Sequence, residues 1–147
     1  MIELRRATAG DLDAIDTIEQ HSFKRLWPRS TFEAELTREW ANLDVGLLDG
    51  HIVAFCDYWV VAPELQILAI ATDPDFRGRG IGAAMLRHVL DAAAARGCQL
   101  ASLEVRAGNQ PAIALYERAG FKTVHVRARY YQDDDEDALV MLRGLTG

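Results

Sequence analysis

From Arg77 to Ala83 the chain reads Arg-Gly-Arg-Gly-Ile-Gly-Ala, with glycines at 78, 80 and 82 and arginines at 77 and 79. An apolar run of helical period follows. The start of a helix carries unpaired backbone N–H groups and the positive end of the helix dipole, and so binds anions. Gly78, Gly80 and Gly82 remove side chains that would hold a phosphate away from those groups, and Arg77 and Arg79 add positive charge. Two common phosphate loops do not fit. A P-loop closes on Gly-Lys-Ser/Thr, whereas this helix opens Gly80-Ile81-Gly82-Ala83. A dinucleotide fingerprint is Gly-x-Gly-x-x-Gly after the first strand of a repeated unit, and here the spacing and the preceding topology both differ. A glycine-rich connection without a ligand is the alternative.

Glu104 is the second residue of interest. In Ser-Leu-Glu-Val-Arg (102–106) a strand puts Leu103 and Val105 on one face and Glu104 on the other. It is either a solvated sheet residue or a carboxylate in a cleft, able to take a proton. Tyr116 lies between Ile113 and Ala119 in a helical stretch, where an aromatic ring serves a core equally well. Other chemistries lack their residues. His21, His51, His88 and His125 have no metal-ligand spacing, no Gly-x-Ser-x-Gly is present, and Cys56 and Cys98 read as buried thiols.

The elements that must position these groups follow from periodicity. Residues 2–7 alternate as a strand. Leu12, Ile15 and Ile18 mark a helix over 11–21, capped near Gly10 or Asp11. After Trp27-Pro28 a second helix is expected in a stretch reaching Trp40, opened by Ser30 with Glu33 as a capping box. Strands at 43–48 and 51–61 flank Asp49-Gly50, a hairpin turn. A fourth strand covers 64–72. The helix over 81–96 is closed by Gly97. A fifth strand covers 99–107, and a short helix runs from its cap Asn109 to Gly120 with Pro111 in its first turn. Strands at 121–131 and 138–145 enclose an acidic loop over 132–137, read as a solvated turn that could also draw a basic segment by charge. The order β-α-α-β-β-β-α-β-α-β-β implies a mixed sheet with one parallel crossover in a single domain, 1–147.

The 147 residues are half hydrophobic, enough for a core. The formal net charge of −6 excludes the chain as a whole from direct nucleic-acid binding. No apolar run suits a membrane span, and the charged N-terminus lacks a signal-peptide pattern, so a cytoplasmic location is expected.

With its preceding strand, Arg77-x-x-Gly80-x-Gly82 resembles the coenzyme A loop of the Gcn5-related N-acetyltransferase superfamily. "LEVRAGNQPAIALYERAGF", "RARYY" and "EDALVM", with Trp27 and Phe32, resemble its ribosomal-protein-alanine N-acetyltransferase branch. The resemblance implies an α/β (α+β) fold: a mainly antiparallel sheet of six to seven strands, helices on both faces, and a central β-α-β crossover splayed into a V. It implies acetyl-CoA as co-substrate and no metal. Its pyrophosphate would be held by Arg77, Gly78, Arg79, Gly80, Ile81, Gly82 and Ala83. Its acetyl arm would lie along Ile70, Ala71 and Thr72, with Asn109 a further contact. Glu104 matches the branch's general base and Tyr116 its general acid. The acceptor implied is the N-terminal alanine of a basic small-subunit ribosomal protein, beginning like Ala-Arg-Tyr. Another acceptor amine or a catalytically silent acetyl-CoA-binding module are the alternatives. Thr72 replaces the branch's valine, and Leu26-Trp27-Pro28 shifts a proline in the acceptor-side loop.

Overall fold

The computed structural model describes residues 2–22, 27–131 and 134–145. In chain order the elements are β1 (Glu3–Arg6), α1 (Leu12–Gln20), α2 (Arg29–Glu35), β2 (Ala41–Leu48), β3 (His51–Val61), β4 (Glu64–Thr72), α3 (Ile81–Ala95), β5 (Leu100–Arg106), α4 (Gln110–Arg118), β6 (Lys122–Tyr131) and β7 (Glu136–Gly144). The strands form one seven-stranded sheet in the order β1-β2-β3-β4-β5-β7-β6. Every neighbouring pair is antiparallel except β4 and β5, which α3 joins as a parallel crossover.

Alternation along the strands divides the core between the two faces. Cys56 and Tyr58 of β3 and Leu103 and Val105 of β5 pack with Met85, Leu86 and Val89 of α3 and Ile113 and Tyr116 of α4. On the opposite face Val45, Phe55 and Ala71 pack with Ile15 and Ile18 of α1 and Phe32 of α2. Both cysteines are free and buried.

Several local expectations are corrected. Ser30 does not cap α2. The helix begins at Arg29 with Pro28 as its extended N-cap, so Ser30 falls in the first turn and no side chain caps it. Nor does α2 reach Trp40, because the Trp40 carbonyl accepts the Val60 N–H at 2.9 Å and the sheet takes the chain. The capping box lies earlier. Asp11 accepts the Thr8 N–H at 2.7 Å at a 3-10 turn, Ala9–Asp11, that leads into α1. A 2.7 Å hydrogen-bonded ion pair with Arg5 holds the Asp11 carboxyl down at about 2. Strand β7 starts at Glu136, two residues before the expected 138, because the acidic residues that open it are tied to their own chain as described below.

Candidate active site

Strands β4 and β5 pair over four residues, from Glu64↔Leu100 to Ile67↔Leu103, and then part. β4 runs on to Thr72 bonded only to β3, and β5 runs on to Arg106 bonded only to β7. Each strand directs alternate N–H and C=O groups to either side. Beyond the fork, half of those on 68–72 therefore face a gap with no neighbouring strand. Ile70, Ala71 and Thr72 line it, and Glu104 is the first β5 residue past the last paired position.

The glycine loop closes the end of this gap. Gly78 and Gly80 have φ of 80° and 78°, in the left-handed region that glycine adopts freely. A Cβ at either position would meet nothing within 4 Å, so the requirement is conformational and the space outside is open. Gly80 is the N-cap of α3, and the first backbone bond of the helix runs from the Ala84 N–H to the Gly80 carbonyl. The N–H groups of 78–83 find no acceptor among the described residues, which leaves a row of donors at the positive end of a helix of 15 residues. A Cβ on Gly82 would face Leu115 at 3.5 Å and Thr72 Oγ1 at 3.7 Å, so the start of α3 adjoins both α4 and the end of β4.

The two loop arginines have protein partners. Arg77 donates from Nε to the Thr72 carbonyl at 3.2 Å and from Nη2 to Ser22 Oγ at 3.3 Å, tying the loop to the end of α1. The Arg79 guanidinium lies 5.0 Å from the Phe76 ring centroid. Asn109 caps α4, its Oδ1 accepting from the Ala112 N–H at 3.3 Å.

Glu104 is 29 % exposed. It stands on the face opposite Leu103 and Val105, where its Oε2 lies 3.1 Å from Arg127 Nε and its Oε1 accepts from Tyr130 Oη at 3.4 Å. Tyr116 belongs to the core on the other face. It is 6 % exposed and meets Phe121 edge to face at 5.9 Å. Burial pushes its phenol well above the ordinary range. Glu104 and Tyr116 thus lie on opposite faces of the sheet.

Sequence reasoning missed how the acidic run is used. Asp133 and Leu26 lie outside the described residues. Asp134 and Glu136 accept from Arg106 Nη1 at 3.1 and 3.2 Å, Glu136 Oε2 also accepts the Gly108 N–H at 2.7 Å, and Asp137 accepts the Arg129 N–H at 2.9 Å. Arg106 stacks on Tyr131, 4.0 Å from its centroid. A Cβ on Gly108 would fall 2.5 Å from Glu136 Oε2. Asp134 and Asp135 form an exposed turn as expected, but the segment is also a brace between the start of β7 and the β5–α4 connection. The signal was present in the spacing of "VRAGN", "RARYY" and "EDA". A cavity of about 610 Å³ beside α2, lined by Arg6, Leu12, Glu35 and Leu43, shares no residue with this site. Among the described residues no three His, Cys, Asp or Glu side chains are grouped to hold a metal, and no helix is long and apolar enough to cross a membrane.

A mixed sheet forked at its one parallel pair, with a helix N-terminus aimed at the fork, defines the class, and the sequence agrees. Residues 12–121 match the Acetyltransferase (GNAT) family, and the chain belongs to it. It is similar to the [Ribosomal protein bS18]-alanine N-acetyltransferase of Escherichia coli (strain K12), 38% identical over 133 residues that cover 89% of each chain. An N-alpha-acetyltransferase of Mycobacterium tuberculosis is 36% identical over 121 residues, covering 80% of this chain and 75% of that one. The crystal structure of the ribosomal-protein-S18-alanine N-acetyltransferase from Escherichia coli superposes with a TM-score of 0.92 at 35% identity, over 100% of this chain and 96% of that one.

Proposed function

We propose that this protein transfers the acetyl group of acetyl-CoA to the N-terminal α-amine of a protein, specifically the N-terminal alanine of a small-subunit ribosomal protein. The position of Glu104 carries the reading: a partly exposed carboxylate at the mouth of the fork, one residue beyond the last β4–β5 pair. The names of the similar bacterial enzymes support the acceptor. The open loop and the free edge of β4 suit acetyl-CoA. In this reading the backbone of 78–83 holds the pyrophosphate, the β4 edge at 70–72 holds the acetyl-bearing arm, and Asn109 adds a contact from the start of α4. The bound thioester supplies the activated acetyl group.

An α-amine has a pKa of about 7.7–8.0, so a fraction of it is protonated at neutral pH and has no lone pair to give. Glu104 takes that proton, directly or through one water. Tyr116 presents a hydroxyl from the opposite face. Tyr116 matches the general acid of the family it resembles, and in that role its hydroxyl donates to the sulfur as negative charge develops there. The acceptor enters on the open face of β5, β7 and β6, and a cytoplasmic enzyme would meet it on newly made protein.

Turnover of a peptide beginning Ala-Arg-Tyr, set against the same peptide blocked at its N-terminus and against a lysine side chain, tests the acceptor. Acetylation of the free α-amine alone is expected, and equal rates on lysine would refute the assignment. Tyr116→Phe should lower kcat by about 10²–10³-fold at unchanged acetyl-CoA affinity, in the range a single oriented donor supplies.

A further inference from the structure

The segment 127–131, Arg-Ala-Arg-Tyr-Tyr, is exposed along its first four residues, yet its side chains reach across β7 to β5. The cause is an irregularity in the β6–β7 ladder. Pairing is regular at Arg127↔Ala138 and resumes at Tyr131↔Glu136, so three residues of β6 stand against one of β7. Arg129 absorbs the excess at a φ of 51°, its N–H held by Asp137 at 2.9 Å. In a regular strand, residues three apart point to opposite faces. The bulge cancels that alternation, and both Arg127 and Tyr130 come to Glu104.

Each takes one oxygen of the carboxylate. Arg127 Nε stands 3.1 Å from Oε2, and the Arg127 guanidinium in turn lies 5.7 Å from the Tyr130 ring centroid. Oε2 is sealed from solvent, and the guanidinium meets it at ion-pair distance without an aligned hydrogen bond. Among the described residues Oε1 has only the long 3.4 Å contact from Tyr130 Oη. The two oxygens are therefore not equivalent. One is covered by a fixed positive charge, and the other is held by a bond weak enough to yield to an arriving donor.

We propose that Arg127 is a positioning residue for Glu104, occupying Oε2 so that Oε1 is the atom that receives the proton of the acceptor amine. The inference rests on Glu104 being the base. In the reaction the N–H bond of the ammonium breaks, its electron pair stays on nitrogen, and the proton goes to Oε1 as the Tyr130 contact gives way.

The test is a double-mutant cycle on the full chain, with the Ala-Arg-Tyr peptide as acceptor and acetyl-CoA as donor. Arg127→Gln should lower kcat about ten- to hundredfold, as misplaced reacting groups do, while the peptide KM stays within about threefold and the melting temperature holds. Arg127→Lys keeps the charge and should recover part of the rate. Tyr130→Phe should cost only a few-fold, since it removes the yielding partner. In a Glu104→Gln background the Arg127→Gln change should have no further effect on kcat. A full additional loss in that background would overturn the proposal, as would an effect confined to KM, a wild-type rate in Arg127→Gln, or a slowing matched by lost stability with no rescue by lysine. A wild-type rate in Glu104→Gln alone would instead refute the base and the inference with it. Glu104→Gln slow with Arg127→Gln unaffected would remove the inference only.

Discussion

Of the carboxylates that sit in the middle of apolar strands of this sheet, Glu104 on β5 and Asp57 on β3 have opposite fates. Asp57 lies in "AFCDYWV" as Glu104 lies in "ASLEVRA", and the local patterns are of one kind. Asp57 is fully buried beneath α2, with no hydrogen-bond partner among the described residues for either oxygen. Burial, and the Glu35 carboxyl facing it, raise its pKa to about 9. At neutral pH it is the protonated member of a sealed pair. Glu35 in turn accepts from Trp59 Nε1 at 2.7 Å and lies 3.5 Å from Arg38 Nη1. Glu104 has Arg127 and Tyr130 beside it and remains 29 % exposed. What separates them is the cover on each face. Among the described residues, α1 and α2 pack over β2, β3 and β4. An acidic residue in a strand becomes a candidate base where that cover ends and its carboxylate stays partly exposed.

This contrast can be tested by exchanging what each residue is asked to do. Glu104→Gln should lower kcat by about 10²–10⁴-fold at neutral pH, the range of a positioned general base, and leave the melting temperature unchanged. A variant that melts earlier and turns over normally would give Glu104 the structural role.

Next in size is the pH dependence of stability. Asp57 has a folded pKa of about 9 against an ordinary 3.8, and Glu19, buried near Trp27 and accepting its N–H, about 7 against 4.5. Between those values the folded chain holds protons that the unfolded chain has lost. Stability is therefore greatest at low pH for these two groups and falls as pH rises, through about 4.5–7 for Glu19 and about 4–9 for Asp57. Denaturation midpoints from pH 5 to pH 9 should decline, and a rise across that window would contradict both assignments.

Asp57→Asn removes the proton uptake and keeps the shape. It should stabilise the protein by about 2 kcal/mol or more at pH 8, flatten the decline above pH 7, and leave kcat within about twofold. A large loss of activity without a loss of stability would make Asp57 part of the chemistry.

The smallest effect is expected from Trp59→Phe, which deletes the donor to Glu35. Chemical denaturation should show a loss of about 1–2 kcal/mol, the cost of a buried acceptor left without its partner, with the rate unchanged.

The fold was largely legible because its signals are local. Asp49-Gly50 takes φ of 51° and 82° in the β2–β3 turn, Asn109 caps α4, Gly97 and Gly120 end α3 and α4 in left-handed conformations, and Gly80 starts α3. Where prediction failed, a neighbouring residue or a distant partner outweighed the expected pattern. The Ser30–Glu33 spacing lost to Pro28 at the mouth of α2, and the later part of the expected helix lost to a hydrogen bond from β3. The acidic stretch looked solvated because its partners, Arg106, Gly108 and Arg129, are removed from it in sequence or lie on another strand.

By itself, then, the sequence determined the succession of strands and helices, the glycine loop at the start of α3, and the residue types placed around a cleft. Those follow from φ preference, capping and alternation, which act within a few residues. Only the tertiary structure decided that Glu104 and not Asp57 faces open space, that Tyr116 approaches from the other side of the sheet, and that a bulge in β6 delivers Arg127 and Tyr130 to Glu104. Those depend on where β4 leaves β5 and how far the helices extend over the sheet, and a strand carries no mark of what lies above it.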